Sequence, residues 1–439
     1  MSAHLPWFSR NAVAVGAVAL SVGVLAACSS SGSSSSTSST STNTSSSSSS
    51  PAANNTPITI GASLSLSGDF STDGTAYQKG YELWAADVNK AGGIMGRQVK
   101  LTILNDNSDS NQVVTNYETL INSDHVDLTF GPFSSLLTTP AAAVAARNGY
   151  AFVEGAGGAP TVFDTASNEA DHNIFDVSLP IADEFQPFIN YIESLPASTR
   201  DSLTAAYPSA QDPFATPPVS LAQKELQAAG VKTVYSNTFP EEVADYKGPA
   251  DQVASKNPDI VILGSTDVPT VQAFMQAFEQ QHFTPKMFLA AAGPDQGSSF
   301  TSAVGAGNAN GMMVPNTWYG GFKDASSQKM VAEYVAKYGG NASGVNADVA
   351  EAYSVGQVVS AAITATGGTD NAKIIAYLHS GVTLSTVQGN VKFDSLGENA
   401  LADAFIFQWQ NTGTNFVQVF PSTAPGSVAF LNPKTPWSS

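Results

Sequence analysis

Two serine hydroxyls lie at a point in the sequence where a small anionic group could bind. Ser134 and Ser135 end the segment Gly131-Pro132-Phe133-Ser134-Ser135, which joins an apolar stretch at 126–130 to a helical pattern at 136–146. Free backbone N–H groups at a helix start favour an anion, and a serine hydroxyl adds a further donor. These residue types predict a carboxylate-binding loop, although either serine could instead serve only to cap the helix.

The histidines and the single cysteine form no catalytic or metal-binding pattern. The sequence has no Gly-x-Ser-x-Gly elbow, Walker loop or cluster of Cys and His. The five histidines are scattered, without the spacing of metal ligands: His4, His125, His172, His282 and His379. The sequence therefore predicts no catalytic residue, no metal and no cofactor, although a carboxylate pair formed only in the fold would still allow an enzyme.

Alternating strands and helices must hold the candidate loops in place. A strand begins at Ile58, and a polar loop that contains one aromatic residue, Phe70, follows it. Aromatic residues then recur at helical spacing from Tyr77 onward, and Ser71, Thr72 or Asp73 could cap that helix. Since ligands bind beyond the carboxyl ends of strands in open α/β sheets, this loop with Phe70 is a candidate binding element.

The same alternation continues through two blocks of the chain. Further strands are predicted near 99–103, 126–130, 151–153 and 174–178, then near 203–207, 231–235, 260–263 and 287–290. Three later helices, near 328–337, 347–365 and 373–378, have no strands between them, so we expect them to cover a lobe already formed. A hairpin at 389–397 and strands at 404–409 and 416–420 follow. The predicted fold class is α/β, with two doubly wound parallel-sheet lobes.

Length, charge and the start of the chain limit its function. A length of 439 residues predicts two or three domains. Acidic side chains outnumber basic ones 36 to 18, so we expect no nucleic-acid surface. Residues 12–25 form an apolar stretch that ends in Leu25-Ala26-Ala27-Cys28, which resembles a bacterial lipobox. The resemblance implies a signal peptide at 1–27 and lipidation of Cys28; the alternative is an inert cysteine in a plain secreted chain. Residues 28–56 are rich in Ser and Thr, which predicts a flexible tether.

Short motifs recur in order through the globular part. They are 60–68 with its Leu-Ser-Gly, Ala91-Gly92-Gly93-Ile94-Met95-Gly96-Arg97, Asp106-Asn107, 131–135, 264–266 and 389–397. Together they resemble the type I periplasmic-binding-protein family, in the branch of branched-chain amino-acid and amide binders that serve ABC importers. The resemblance implies two lobes joined by three crossovers, with the first lobe at 57–178 and 313–397 and the second at 179–312 and 398–439.

The resemblance also implies roles for single residues of the first lobe. Ser135, with Ser134 as its neighbour, is expected to hold a ligand carboxylate, and the Ala156 backbone to contact the ligand. The hydroxyl that relatives carry near Gly157 is absent here until Thr161. The glycines of this loop could therefore admit a bulkier ligand, or they could serve only the turn.

Four further residues are implicated in the second lobe and near a crossover. Phe214 stands where relatives close an aromatic side chain over the ligand. Asp267 and Asp295 follow strands where relatives place groups facing an ammonium, although either could be a solvated loop residue. Trp318, beside Tyr319, could stack on a ligand or pack the hinge.

The sequence therefore predicts a lipid-anchored solute-binding protein on the extracytoplasmic face of a bacterial cell membrane. We expect a monomer that closes on an amino acid, amide or related carboxylate and delivers it to the permease of an ABC importer. Two alternatives remain open: a ligand sensor with the same lobes that signals instead of transporting, and an enzyme on this fold.

Overall fold

A computed structural model describes residues 56–163, 172–240 and 246–437. The predicted signal peptide, Cys28 and all but the last residue of the predicted tether lie outside these ranges. The described strands and longer helices are β1 (Ile58–Leu64), α1 (Ser71–Lys90), β2 (Val99–Asn105), α2 (Ser110–Asn122), β3 (Leu128–Phe130), α3 (Ser135–Arg147), β4 (Phe152–Glu154), α4 (Pro160–Phe163), β5 (Ile174–Asp176), α5 (Gln186–Ser194), α6 (Ala197–Arg200), β6 (Thr204–Ala210), α7 (Thr216–Ala228), β7 (Lys232–Phe239), α8 (Lys247–Lys256), β8 (Ile260–Leu263), α9 (Val268–Gln280), β9 (Met287–Ala290), α10 (Gly297–Val304), α11 (Ala306–Ala309), β10 (Met312–Asn316), α12 (Ala325–Tyr338), α13 (Ala347–Thr366), α14 (Asn371–Leu378), β11 (Leu384–Thr386), β12 (Gly389–Val391), β13 (Phe405–Gln410) and β14 (Asn415–Phe420).

The first sheet is parallel throughout, with strand order β2-β1-β3-β4-β5. Its central strands are apolar and buried, because helices cover both faces. α1 and α13 pack against each other over this sheet, and their apolar side chains share one core with it. Gly80 permits the close approach, since a Cβ there would lie 2.5 Å from the Val349 carbonyl oxygen. The late helix therefore completes the first lobe.

The second sheet has seven strands in the order β14-β13-β10-β9-β8-β6-β7. β6 to β10 run parallel, and β13 and β14 join antiparallel at one edge. Ile260 and Ile262 belong to one apolar cluster, whereas Val261 and Leu263 belong to another, since successive side chains of a strand point to opposite faces. This second covered sheet confirms the predicted α/β class with two lobes.

Two details of the predicted organisation are wrong. A boundary between lobes at residues 312 and 313 would cut β10, yet Met312–Asn316 pair as one strand with β9 and β13. The chain therefore leaves the second lobe only after Asn316. The predicted side-chain cap of α1 is also wrong, because Phe70 occupies the N-cap position and makes no side-chain capping bond.

Three crossovers connect the lobes, after β5, after β10 and before β13. Hydrogen bonds join them to one another and to the hairpin β11-β12. The Asn399 side-chain amide donates to the Val177 carbonyl at 2.9 Å, and the Gln388 side-chain amide donates to Thr317 Oγ1 at 3.1 Å. A narrow connection of this kind suits a hinge between two rigid bodies.

The two longest described helices, α1 and α13, have 20 residues each. Within the described ranges, no helix combines the length and the apolar character needed to cross a bilayer. α13 contains only two charged residues, Asp348 and Glu351, and both are buried. An acidic pair inside an otherwise uncharged helix indicates a polar site beside it.

Candidate ligand-binding cleft

A cleft separates the carboxyl ends of the strands of the two sheets. Loops after β3, β4 and β5, with residues of α1 and α13, form one wall, and segments at the ends of β6, β8, β9 and β10 form the other. The cavity has a volume of about 90 Å³, and apolar side chains such as Phe133, Leu179 and Phe214 contribute to its walls. Open α/β sheets bind their ligands at this position.

Ser134 presents an unpaired hydroxyl to the cleft. It occupies the N-cap position of α3, but its side chain makes no capping bond. Only 6% of the residue is exposed, and Oγ has no hydrogen-bond partner within the described part of the chain. A buried hydroxyl without a partner is unfavourable unless another molecule completes its bonding. With the N–H groups of the first turn of α3, Ser134 is suited to hold an anionic group.

Ser135 is placed differently from its neighbour. It is fully buried and does not line the cleft. Its hydroxyl donates to the Ala156 carbonyl at 3.3 Å, which joins the loop after β3 to the loop after β4. The two adjacent serines therefore have separate tasks: Ser134 faces the cavity, and Ser135 holds the two loops together.

The loop after β4 is folded around the buried carboxyl group of Glu154. Oε2 of Glu154 accepts the N–H groups of Ala156 at 2.8 Å and Gly157 at 2.5 Å. Burial raises the pKa of Glu154 to about 8, although these two N–H groups act in the opposite direction. A Cβ on Gly157 would lie 2.5 Å from a methyl carbon of Thr138. The glycine therefore serves the packing of this loop and does not enlarge the cleft.

Three carboxyl groups reach the cleft from α1 and α13: Asp73, Asp348 and Glu351. Each residue is less than one-tenth exposed. Tyr77 donates its hydroxyl to Glu351 at 2.6 Å, and Asp73 shares a hydrogen bond with Asp348. Burial is the main cause that raises the pKa of all three, followed by repulsion from neighbouring carboxylates, and the pKa of Asp348 reaches about 7.

Asp295 and Gln296 face these acids from the second lobe. The Gln296 amide donates to Asp73 and, at 3.1 Å, to Asp348. Asp295 accepts a bond from the Asn316 amide at 3.3 Å, and burial raises its pKa to about 6. Gln296 therefore makes a direct polar contact between the two lobes.

Glu184 contributes another carboxyl group from the first crossover. It lines the cleft and is 5% exposed, and its Oε1 has no hydrogen-bond partner within the described residues. Burial, followed by repulsion from Asp295, raises the pKa of Glu184 well above its usual range. No group of three or more His, Cys, Asp or Glu in the described ranges is arranged to hold a metal ion.

The structure brings four of the predicted site residues to the cleft and places the other five elsewhere. Those that line the cleft are Ser134, Ala156, Phe214 and Asp295. Those that do not line it are Ser135, Gly157, Phe70, Asp267 and Trp318.

Contacts within the protein explain the positions of three of these five residues. Phe70 packs edge to face against Phe133, with 5.8 Å between the ring centroids, and so supports a ring that does line the cleft. Asp267 caps α9, because its carboxylate accepts a backbone N–H of that helix at 2.8 Å. Trp318 is 1% exposed, and its indole N–H donates to a buried serine hydroxyl at 2.8 Å. Trp318 therefore packs beside the hinge, which is one of its two predicted roles.

Sequence reasoning missed nine polar residues of the cleft, among them the four acids Asp73, Glu184, Asp348 and Glu351 and the amide of Gln296. One signal for two of them was present, because residues three apart on a helix lie on one face, and Asp348 and Glu351 are the only charges of α13. Asp73 was interpreted only as a possible cap. Glu184 and Gln296 lie outside the periodic helices and strands, so no pattern marked them.

The sequence matches the family described as periplasmic binding protein over residues 57–414. A curated relative, Leu/Ile/Val-binding protein homolog 3 of Brucella melitensis, is 21% identical over 355 residues, which cover 81% of this chain and 92% of the relative.

Two solved structures share the fold. A solute-binding protein of an ABC transporter from R. palustris, in complex with benzoate, has a TM-score of 0.70 and 16% identity, covering 83% of this chain and 96% of that one. A branched-chain amino acid transporter substrate-binding protein from Streptococcus pneumoniae, in complex with isoleucine, has a TM-score of 0.69 and 19% identity. The match covers 83% of this chain and 100% of that one. Because these two ligands differ in charge, the fold alone does not determine which ligand a cleft of this kind accepts.

Proposed function

The chain belongs to the periplasmic binding protein family, a family of solute-binding proteins and not of enzymes, and we propose that it captures a small organic ligand in its cleft and delivers it to an ABC importer. The observation that carries this proposal is the buried, unpartnered hydroxyl of Ser134 at the start of α3, which faces carboxyl and apolar groups of the second lobe across the cavity. A site divided between two lobes offers its full set of contacts only when the lobes are closed.

Capture proceeds by hinge closure. The ligand docks first on the loops of the first lobe, where Ser134 and the Ala156 loop are accessible from the cleft. The second lobe then rotates about the three crossovers and brings Phe214, Asp295 and Gln296 over the ligand. Closure excludes water, and the lower dielectric strengthens the polar contacts. The importer distinguishes the closed, loaded protein from the open one by its shape.

The protein acts as a monomer, held by a lipid on Cys28 at the extracytoplasmic face of a bacterial cell membrane. The support is in the sequence, since Leu25-Ala26-Ala27-Cys28 resembles a lipobox and the Ser- and Thr-rich residues that follow provide a tether. Mass spectrometry of the membrane fraction tests this: we expect an amino terminus at a diacylated Cys28. An unmodified Cys28 in soluble protein would contradict the anchor.

A thermal-shift screen of the full chain, purified in mild detergent, tests ligand capture. The panel contains L-amino acids, their amides, benzoate and aliphatic diamines. A ligand at 100 times its Kd adds about 2.7 kcal/mol to the free energy of unfolding, which raises the melting temperature measurably. A panel in which no compound raises the melting temperature would refute capture of a ligand from these classes.

Ser134→Ala tests the contact that carries the proposal. Since hydrogen bonds to charged groups contribute ~1.5–3 kcal/mol, calorimetry should show an affinity at least about tenfold lower for a carboxylate ligand. Ser110→Ala, in the first turn of α2 and outside the cleft, is the matched control and should leave affinity unchanged. Equal affinities of the Ser134 variant and the control would remove Ser134 from the site.

A further inference from the structure

The titratable side chains that line the described cleft are all carboxyl groups. Five carboxyl groups line it, and none of the described residues lining it is a lysine, arginine or histidine. The donors that the protein provides to these acids are neutral. They are the hydroxyl groups of Tyr77 and Ser178, the side-chain amides of Gln296, Asn316 and Asn346, and the backbone N–H of Gly293. No cationic side chain in the described cleft therefore compensates the acids.

Asp295 lies where the carboxyl groups of both lobes converge. Burial is the main cause that raises the pKa of the four other acids, Asp73, Glu184, Asp348 and Glu351, and repulsion from Asp295 adds to it in every case. These four come from α1, from the first crossover and from α13, so three separate segments direct carboxyl groups towards one residue of the second lobe. Buried carboxylates are unfavourable together, so they must either keep their protons or be joined by a counter-charge.

Two polar atoms without a partner in the described part of the chain point independently to a ligand in the cavity. Glu184 Oε1 and Ser134 Oγ both belong to residues at least nine-tenths buried that line the cleft. Neither atom has a hydrogen-bond partner within the described part of the chain. A donor supplied by a ligand would satisfy the carboxylate oxygen of Glu184, which the described residues leave unpaired.

We propose that this cleft takes a small organic cation, an amine or guanidine with a net positive charge, whose nitrogen binds between Glu184 and Asp295. The inference rests on the proposed function, because it names the ligand class of the same site. The cavity of about 90 Å³ admits a small molecule. Phe133 and Phe214 supply apolar surface for a methylene chain.

Two kinds of molecule share this chemistry, and Ser134 distinguishes them. A basic amino acid would place its carboxylate at Ser134 and the start of α3 and its side-chain cation among the acids. A diamine has no carboxylate for Ser134 and the N–H groups at the start of α3. We therefore use L-ornithine and putrescine as cationic probes, with L-leucine and benzoate as probes that carry no net positive charge.

Calorimetry on the full chain tests the proposal with Glu184→Gln and Asp295→Asn, which keep the side-chain size and remove the charge. We expect one or both cations to bind more tightly than leucine and benzoate, and each variant to weaken that binding at least tenfold. Glu193→Gln, at an exposed position of α5, is the matched control and should leave binding unchanged. Thermal melting of each variant confirms that it is folded. If Ser134→Ala weakens ornithine and not putrescine, the ligand carries a carboxylate.

Proton release on binding gives a second measurement. A bound cation favours the ionised carboxyl groups, so binding should release protons, and affinity should rise as the pH increases through about 6 and about 7, the pKa values of Asp295 and Asp348. Tighter binding of leucine or benzoate than of either cation would overturn the inference and leave the proposed function standing. If no probe and no member of the wider panel binds, the proposed function itself fails.

Discussion

Glu154→Gln probes the electrostatic cost of the carboxyl group buried beneath the cleft. Glu154 has no exposed surface, and the only described hydrogen-bond partners of its carboxyl group are the N–H groups of Ala156 and Gly157 at Oε2. Glutamine retains an oxygen for these two donors and cannot ionise. The substitution therefore removes the titration of this position while it keeps the loop.

The expected effect depends on pH in one direction. The pKa of Glu154 is raised from 4.5 to about 8 in the folded protein, mainly by burial. Between these values the unfolded chain has lost the proton that the folded protein still binds, so the free energy of unfolding falls as pH rises. This change in the pKa corresponds to a contribution on the order of 5 kcal/mol to the free energy of unfolding. The contribution is fully present below about pH 4.5 and is lost by about pH 8.

Urea denaturation at a series of pH values measures this effect. The free energy of unfolding of Glu154→Gln minus that of the unchanged protein should rise between about pH 4.5 and pH 8 by a few kcal/mol. Glu193→Gln, which removes one exposed carboxylate, controls for the change in net charge. Parallel pH profiles for Glu154→Gln and the unchanged protein would refute the reasoning, because Glu154 would then have similar pKa values in the folded and unfolded chains.

Three further changes test other parts of the structure. Gln296→Leu removes the hydrogen bond to Asp73 between the lobes, so small-angle scattering should show a larger radius of gyration. The control is Gln272→Leu, which removes a hydrogen bond within one lobe and should leave the radius of gyration unchanged. Trp318→Phe removes one buried hydrogen bond and should lower the free energy of unfolding by about 1 kcal/mol. Calorimetry should show unchanged ligand affinity, and a lower affinity would mean that Trp318 contacts the ligand after all. Gly157→Ala places a Cβ 2.5 Å from its nearest neighbour and should destabilise the protein by about 1–3 kcal/mol in urea denaturation, and an unchanged transition would contradict that packing.

The sequence by itself determined most helices and strands and the α/β class of the fold. The strand at Met287–Ala290 and the long helix from Ala347 were predictable, because their signals are local: an apolar run of strand length, and buried residues at helical spacing. The loop at Ser134 was predictable for the same reason, since a strand end followed by a helix start is visible in consecutive residues. Those local signals were enough to predict a cleft at the carboxyl ends of the strands.

Only the tertiary structure decided which side chains meet in that cleft. Gln296 and Asp73 are 223 positions apart, and the crossovers and the packing of α1 against α13 bring them together. The choice between the two neighbouring serines also depended on tertiary contacts, because the Ser135 hydroxyl donates to the Ala156 carbonyl, whereas the Ser134 hydroxyl has no partner among the described residues. Periodicity in a sequence reports which face of an element is buried. It does not report which acids from distant segments share one cavity, and that convergence sets the charge of the site.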